Sequence, residues 1–218
     1  MKVVAQSFSW PFRGAWKSRW IIGLLMVLLL PIAFIPLLGY AIAATRAAEL
    51  DATSGPPPWA VSVRLLSDGF WATVVVVLFT APFVLLVNPL AGWLYSAHLW
   101  HTPDAPVAQL YSYTVALFLL ALPWGLLLLL HMPHATARFA HSGRAGDMFD
   151  IRASIMSVGR DFTTWNLAAA AIVTAWAIGL ACIGLVCVGL VPGVLYAILV
   201  SAHASSALDS KGQNPPAR

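Results

Sequence analysis

The chain has 218 residues, 60% of them hydrophobic and only 9% charged, with 12 Lys or Arg against 8 Asp or Glu. A soluble domain carries about 25% charged residues, whereas here 141 residues fall in four stretches with none, at 20–45, 69–103, 105–137 and 162–208. One helical crossing takes about 20 apolar residues, so the chain is read as an all-α polytopic membrane helical bundle, and soluble, secreted and disordered classes are excluded.

The opening segment, MKVVAQSFSWPFRGAWKSRW, is not read as a signal peptide. Its basic residues are interleaved with aromatics and the apolar stretch behind it is too long for a signal core, so the segment is expected to be retained. Phe8, Phe12, Trp16 and Trp20 recur at i, i+4 spacing with Arg13 and Lys17 off the stripe, which predicts an amphipathic helix over about 8–20 lying in the membrane interface. Residues 20–45 form the first hydrophobic block. Pro31 and Pro36 stand in its middle, and each removes a backbone donor and clashes with the preceding turn. The block is therefore either a Pro-broken hairpin, with arms at 21–30 and 37–45, or one kinked span. A polar break, Asp51 to Pro58, follows it.

Trp59, Val63, Leu66 and Phe70 carry a second apolar stripe, with Arg64 and Asp68 outside it, and predict an interfacial helix over about 59–69. Hydrophobic blocks at 70–97 and 111–134 are each one span, long enough to tilt. Ile151, Ile155, Val158 and Phe162 repeat the stripe over about 149–163, with Arg152, Arg160 and Asp161 outside it. For all three stripes the alternative is a loop helix packed on the protein. The stretch 162–208 is too long for one crossing and divides into spans at 165–183 and 186–204, with a turn near Ile183 and Gly184. Residues 1–205 read as a single integral membrane domain and 206–218 as a disordered tail. The recurring stripe, and Ser-Ala-His at 96–98 and again at 201–203, hint at an internal duplication.

Lys and Arg set the expected orientation. Four precede the first block (Lys2, Arg13, Lys17, Arg19), two follow it (Arg46, Arg64), none lies near Asp104, four lie at 135–164 (Arg138, Arg144, Arg152, Arg160) and two in the tail (Lys211, Arg218). A single crossing of the first block opposes four of them to the rest, whereas a hairpin places all 12 on one side. The positive-inside rule favours the hairpin, and with it a cell (inner) membrane location with both termini cytoplasmic. Trp20, Trp59, Trp71, Trp93, Trp100 and Trp165 fall near span ends, as aromatic belts do, while Trp124 and Trp176 fall mid-span as packing residues.

Candidate chemistry is sparse. No charge lies inside the blocks, where proton-coupled carriers and voltage sensors place ionisable groups. His98 with His101, and His131 with His134, stand at i, i+3, a spacing that can bring two imidazoles to one helix face. The two pairs belong to opposite membrane faces, and the default reading is interfacial histidine. The speculative metal set is His131, His134 and His203. Asn88-Pro89 is read as interhelical glue or a kink, because an amide in hydrocarbon needs a partner. Small residues at i, i+4 (Ala175 with Gly179, Ala177 with Ala181, Gly189 with Gly193) permit close helix approach. Cys182 and Cys187 are small apolar filler. No GxSxG, phosphate-binding loop or dinucleotide fingerprint is present, so no catalytic residue and no cofactor is expected. The expected partners are the lipid bilayer and other membrane subunits or further copies of the chain, with no nucleic acid.

These residues resemble a prokaryotic integral membrane family, domain of unknown function 4013. The resemblance is carried by Pro11-Phe12, Trp16-Lys17, Ile22-Gly23, Pro31-Ile32, Gly39-Tyr40 and Arg46, then Pro58-Trp59 and Gly69, then Phe149-Asp150, Tyr196 and Ala202-His203. It implies a multi-span membrane protein and carries no activity or catalytic residue. The leading expectation is a non-enzymatic scaffold or accessory subunit of a membrane complex. The alternative is a transporter or channel for a small or lipophilic solute, and after it a membrane-embedded lipid-modifying enzyme.

Overall fold

Pro11 and Gly14 stop the first helix before it reaches the hydrophobic block. In the computed structural model, which describes residues 2–100, 104–182 and 189–209, α1 (Lys2–Ser9) runs into a 3-10 turn at Trp10–Phe12, and the chain turns at Gly14 with φ +62°, a conformation that costs glycine little. The expected helix over 8–20 is therefore two helices with a break between them. Its aromatics still meet: Phe12 stacks on Trp20 with ring centroids 5.2 Å apart and abuts Trp16 edge-on at 5.8 Å. Trp10, off the stripe, is fully buried, so this segment packs on the protein.

α2 (Trp16–Leu28) and α3 (Leu30–Leu50) make up the first hydrophobic block. The interruption falls at Leu29, not between the prolines. Pro31 sits in the first turn of α3, where a missing N–H has no helical partner to lose, and Pro36 is carried inside α3. Arg13 donates to the Ala52 carbonyl at 3.2 Å and Trp59 Nε1 to the Arg19 carbonyl at 2.9 Å. The start of α2 thus lies against the chain just beyond α3, and the pair folds back as a hairpin. With 13 and 21 residues, the arms measure about 20 and 31 Å at about 1.5 Å per residue.

α4 (Val63–Ser96) begins beyond Trp59 and continues without a break through Gly69, so the stripe at 59–69 is no separate helix but the first turns of a long one. α5 (Ala105–Ser142) ends at Gly143, φ +69°, whose N–H returns to the Phe139 carbonyl at 2.9 Å as a helix-ending glycine does. α6 (Ile151–Arg160) and α7 (Phe162–Ala181) are each capped by an aspartate: Asp150 accepts from the Ala153 N–H at 2.8 Å, and Asp161 from the Thr164 N–H at 3.1 Å. α8 (Leu190–Asp209) extends past the expected end of order, with Ser205 and Ser206 buried. Residues 206–209, expected in a disordered tail, are therefore helical. The expected turn at Ile183 and Gly184, Cys187, His101 and residues beyond 209 lie outside the described residues.

The described residues contain helices and no strand, and α3, α4, α5, α7 and α8 are long and apolar enough to cross a membrane. This is a helical membrane bundle. The expected duplication is not seen among the described residues. The three stripes take three different forms, and Ser96 ends α4 while Ser201 lies well inside α8.

Contacts divide the chain into two units: the described residues up to Thr73 and from Leu130 onward, and those within Val74–Leu129. In the first unit α7 and α8 meet at Gly179 and Gly193, where a Cβ on either would lie 2.7 Å from the other's carbonyl oxygen. Gly23 of α2 lies against Leu195 of α8. Trp10, Leu37, Tyr40, Leu195 and Leu199 form the central core. In the second unit the later part of α4 and the earlier part of α5 run antiparallel. Three polar contacts join them and their loop: Trp124 Nε1 to Thr80 Oγ1 at 3.2 Å, Tyr113 Oη to Asn88 Oδ1 at 3.2 Å, and Trp100 Nε1 to Ser112 Oγ at 2.7 Å. Ala91, Leu94 and Ala116 form a small seam between them.

Candidate functional site

A close approach of α3 and α4 brings together Arg46, which closes the first charge-free stretch, and Asp68, which precedes the second. A Cβ on Gly39 of α3 would lie 2.0 Å from the Leu65 carbonyl oxygen of α4, and one on Gly69 would lie 2.0 Å from that of Ile35. Backbones this close leave no room for any side chain at either position. Two turns along α3 from Gly39, Arg46 Nη2 donates to Asp68 Oδ2 at 3.1 Å and its Nε to the Ala140 carbonyl of α5 at 2.8 Å. Asp68 is buried and the Arg46 side chain is 21% exposed. A guanidinium in this position joins three helices, and each charge offsets the desolvation of the other.

Above this lock Tyr40 stacks on Trp59, with centroids 3.7 Å apart and planes within 8°. The Tyr40 hydroxyl donates to the Pro57 carbonyl at 2.9 Å. The proline-rich loop is thereby pinned across α3, and between loop and helices remains a half-open cavity of about 190 Å³ lined by Tyr40, Arg46, Pro58, Ser62, Arg64 and Asp68 among others. The cavity holds two guanidiniums and one carboxylate. Arg46 is committed to Asp68, whereas Arg64 is exposed.

A second polar cluster seals α1 to α8. Ser7 Oγ lies 2.8 Å from His203 Nδ1, and Trp10 packs on the same imidazole at 5.3 Å. Ser7 and His203 are both buried. A third fastens the α5–α6 loop: Arg138 Nη2 donates to the carbonyls of Asp147 and Asp150 and to Ser154 Oγ at 3.0–3.1 Å, and His131 Nε2 donates to the Met148 carbonyl at 2.8 Å. Phe149 of that loop meets Trp71 edge-on at 6.2 Å.

The structure does not gather the speculative metal set. His131 is engaged with the α5–α6 loop and His203 with α1, and among the described residues no three His, Cys, Asp or Glu side chains come together. His134 is buried on α5, and His98, exposed, bonds the Ser96 carbonyl. Asn88 is exposed and bonds Tyr113. Ala175 is fully buried, with Ala197 and Val200, and Gly189 lies against the Cys182 carbonyl. Ala177 and Ala181 face outward and form no seam.

Reading the sequence alone missed Gly39 with Gly69, Arg46 with Asp68, and Ser7 with His203. One signal for the charge pair was present: Arg46 closes the first charge-free stretch and Asp68 immediately precedes the second.

A comparison with protein-family models gives a match. The family model described as "Protein of unknown function (DUF4013)" covers residues 22–200. No curated protein and no solved structure matches the chain. Gly39-Tyr40, Arg46, Pro58-Trp59 and Gly69, among the residues that carry the resemblance in the first half of the sequence, meet around the α3–α4 lock. The match takes in α3 to α7 and about half of α2 and of α8, and the chain belongs to the DUF4013 family.

Proposed function

We propose that the chain is a non-enzymatic scaffold or accessory subunit of a membrane complex, held in the inner membrane with both termini cytoplasmic. The observation that carries this reading is the surface of the Val74–Leu129 unit. Leu85, Phe118 and Leu122 are 75%, 71% and 76% exposed, on helices whose spans are the most apolar of the chain and the least buried. The polar pair Asn88–Tyr113 interrupts that surface, and an amide facing hydrocarbon favours a neighbouring helix. Support also comes from the polar side chains elsewhere, since Arg46, Asp68, Arg138 and His203 each bond another part of the same fold.

A photo-crosslinking residue at Leu85 or Phe118 tests the reading. A discrete crosslinked species at fixed stoichiometry is expected, identified by mass spectrometry and retained through purification in mild detergent. A chain that purifies as a lone monomer and crosslinks only to lipid overturns it. For orientation, Thr53→Cys in a background without Cys182 and Cys187 is expected to react with an impermeant reagent only after the cells are opened, and reaction in intact cells overturns the cytoplasmic assignment.

A further inference from the structure

We propose that the cavity between α3, the proline-rich loop and the start of α4 binds the phosphate of an anionic phospholipid. Three observations converge there. The first is charge. Arg46 and Arg64 both line the cavity, and Asp68 bonds Arg46. Arg64 has no hydrogen-bond or ion-pair partner among the described residues. The cavity therefore carries one surplus positive charge. A guanidinium's planar fork of donors matches phosphate oxygens.

The second is size and shape. A half-open space of about 190 Å³ takes a phosphate group and not the acyl chains attached to it. Its floor is built: Tyr40 is held by Trp59 and by Pro57, and Arg46 by Asp68 and Ala140. The Ser62 hydroxyl also lines the space and accepts from the Leu65 N–H at 3.1 Å, which leaves its own proton free to donate outward.

The third observation selects a lipid over a soluble phosphate. The cavity lies between the last turns of one apolar helix, Leu30–Leu50, and the first turns of the next, Val63–Ser96. That is the depth at which phospholipid headgroups lie. Its surroundings are apolar as well: Leu50, Val61 and Val63 are 84%, 74% and 87% exposed, and they offer acyl chains a surface that water would not favour.

The test is native mass spectrometry of the full chain in detergent, titrated with phosphatidylglycerol, with diacylglycerol and with inorganic phosphate. Phosphatidylglycerol is expected to remain bound where diacylglycerol does not. Arg64→Gln, at an exposed position that supports no other part of the fold, is expected to weaken binding about tenfold, the worth of one charge-assisted contact. Ala43 also lines the space, so Ala43→Leu narrows the cavity without changing a charge and is expected to weaken binding comparably. Arg152→Gln, at an exposed position of α6, is expected to leave it within about twofold of the parent. Parent-like binding by Arg64→Gln or Ala43→Leu, or equal retention of diacylglycerol, overturns the site. Displacement of the lipid by millimolar inorganic phosphate overturns the lipid as its source.

Discussion

The second unit is built from the more apolar helices, yet the first is the more closely packed, and the two hold together by different means. In the first, backbones touch at Gly39 with Gly69 and at Gly179 with Gly193, and charged side chains fasten the ends. In the second, Gly92 and Gly125 have nothing within 4 Å of where a Cβ would stand, and the two helices meet through two side-chain hydrogen bonds and a small Ala–Leu seam, with a third bond from their loop. Inside a bilayer apolar area alone does not drive helices together, because lipid chains are as apolar as leucine. Close packing then depends on where small residues fall, not on how many there are. The unit without such contacts keeps its apolar faces available to lipid or to another subunit.

Glycine substitutions should separate the units most sharply. Gly69→Val is expected to cost about 3 kcal/mol or more, since the side chain meets backbone that cannot yield, and to show as lost monodisperse protein in fluorescence-detected size exclusion. Gly92→Ala and Gly125→Ala, by contrast, are expected to leave the melting temperature unchanged or slightly raised, because alanine favours the helix. A large loss from either would mean that the second unit is packed after all.

Asp68→Ala leaves the Arg46 guanidinium without its carboxylate and is expected to cost about 2 kcal/mol, below the range for a fully buried pair because Arg46 is partly exposed. Thermal unfolding in detergent measures it. Thr80→Val removes the acceptor of Trp124 in the second unit and is expected to cost only about 0.6 kcal/mol, the average for a polar contact between membrane helices; the same assay reads it. A cost equal to that of Asp68→Ala would erase the distinction between a charged lock and a neutral contact.

The smallest effect is expected at Asp51, outside the helices. The Thr53 hydroxyl and N–H both bond its carboxylate and hold its pKa below the ordinary value. Such a turn is favoured above about pH 4 and is lost as pH falls through the lowered pKa of the folded state. Protection of the Thr53 amide from hydrogen exchange, taken relative to the intrinsic rate at each pH, should fall only in that acid range.

Much of the architecture was legible from the distribution of charge. Span positions follow from long stretches without it. The helix caps at Asp150 and Asp161 were missed, and with them the break that divides the expected helix over 149–163 between α6 and α7. The hairpin was legible as one of two alternatives from the basic residues on either side of residues 20–45. The place of its break was not, because a proline in a first turn and one in a helix interior look alike in sequence, and Pro31 and Pro36 differ only in that respect. The lock was hidden for another reason. Gly39 and Gly69, or Arg46 and Asp68, are partners only once two helices cross, and no local periodicity encodes a crossing point. The charges that bound the apolar stretches have a common part in the structure: Arg46, Asp68, Arg138 and Asp161 each bond another element or cap a helix.

The contact between Ser7 and His203 spans 196 residues of sequence. During synthesis the first helices therefore emerge long before the surface that covers Trp10 exists. Until α8 is inserted, a tryptophan that ends fully buried must wait against lipid, a chaperone or a neighbouring subunit. Closure of the first unit is thus a late event in biogenesis, and a nascent chain halted before α8 would present its opening aromatics to whatever waits at the membrane.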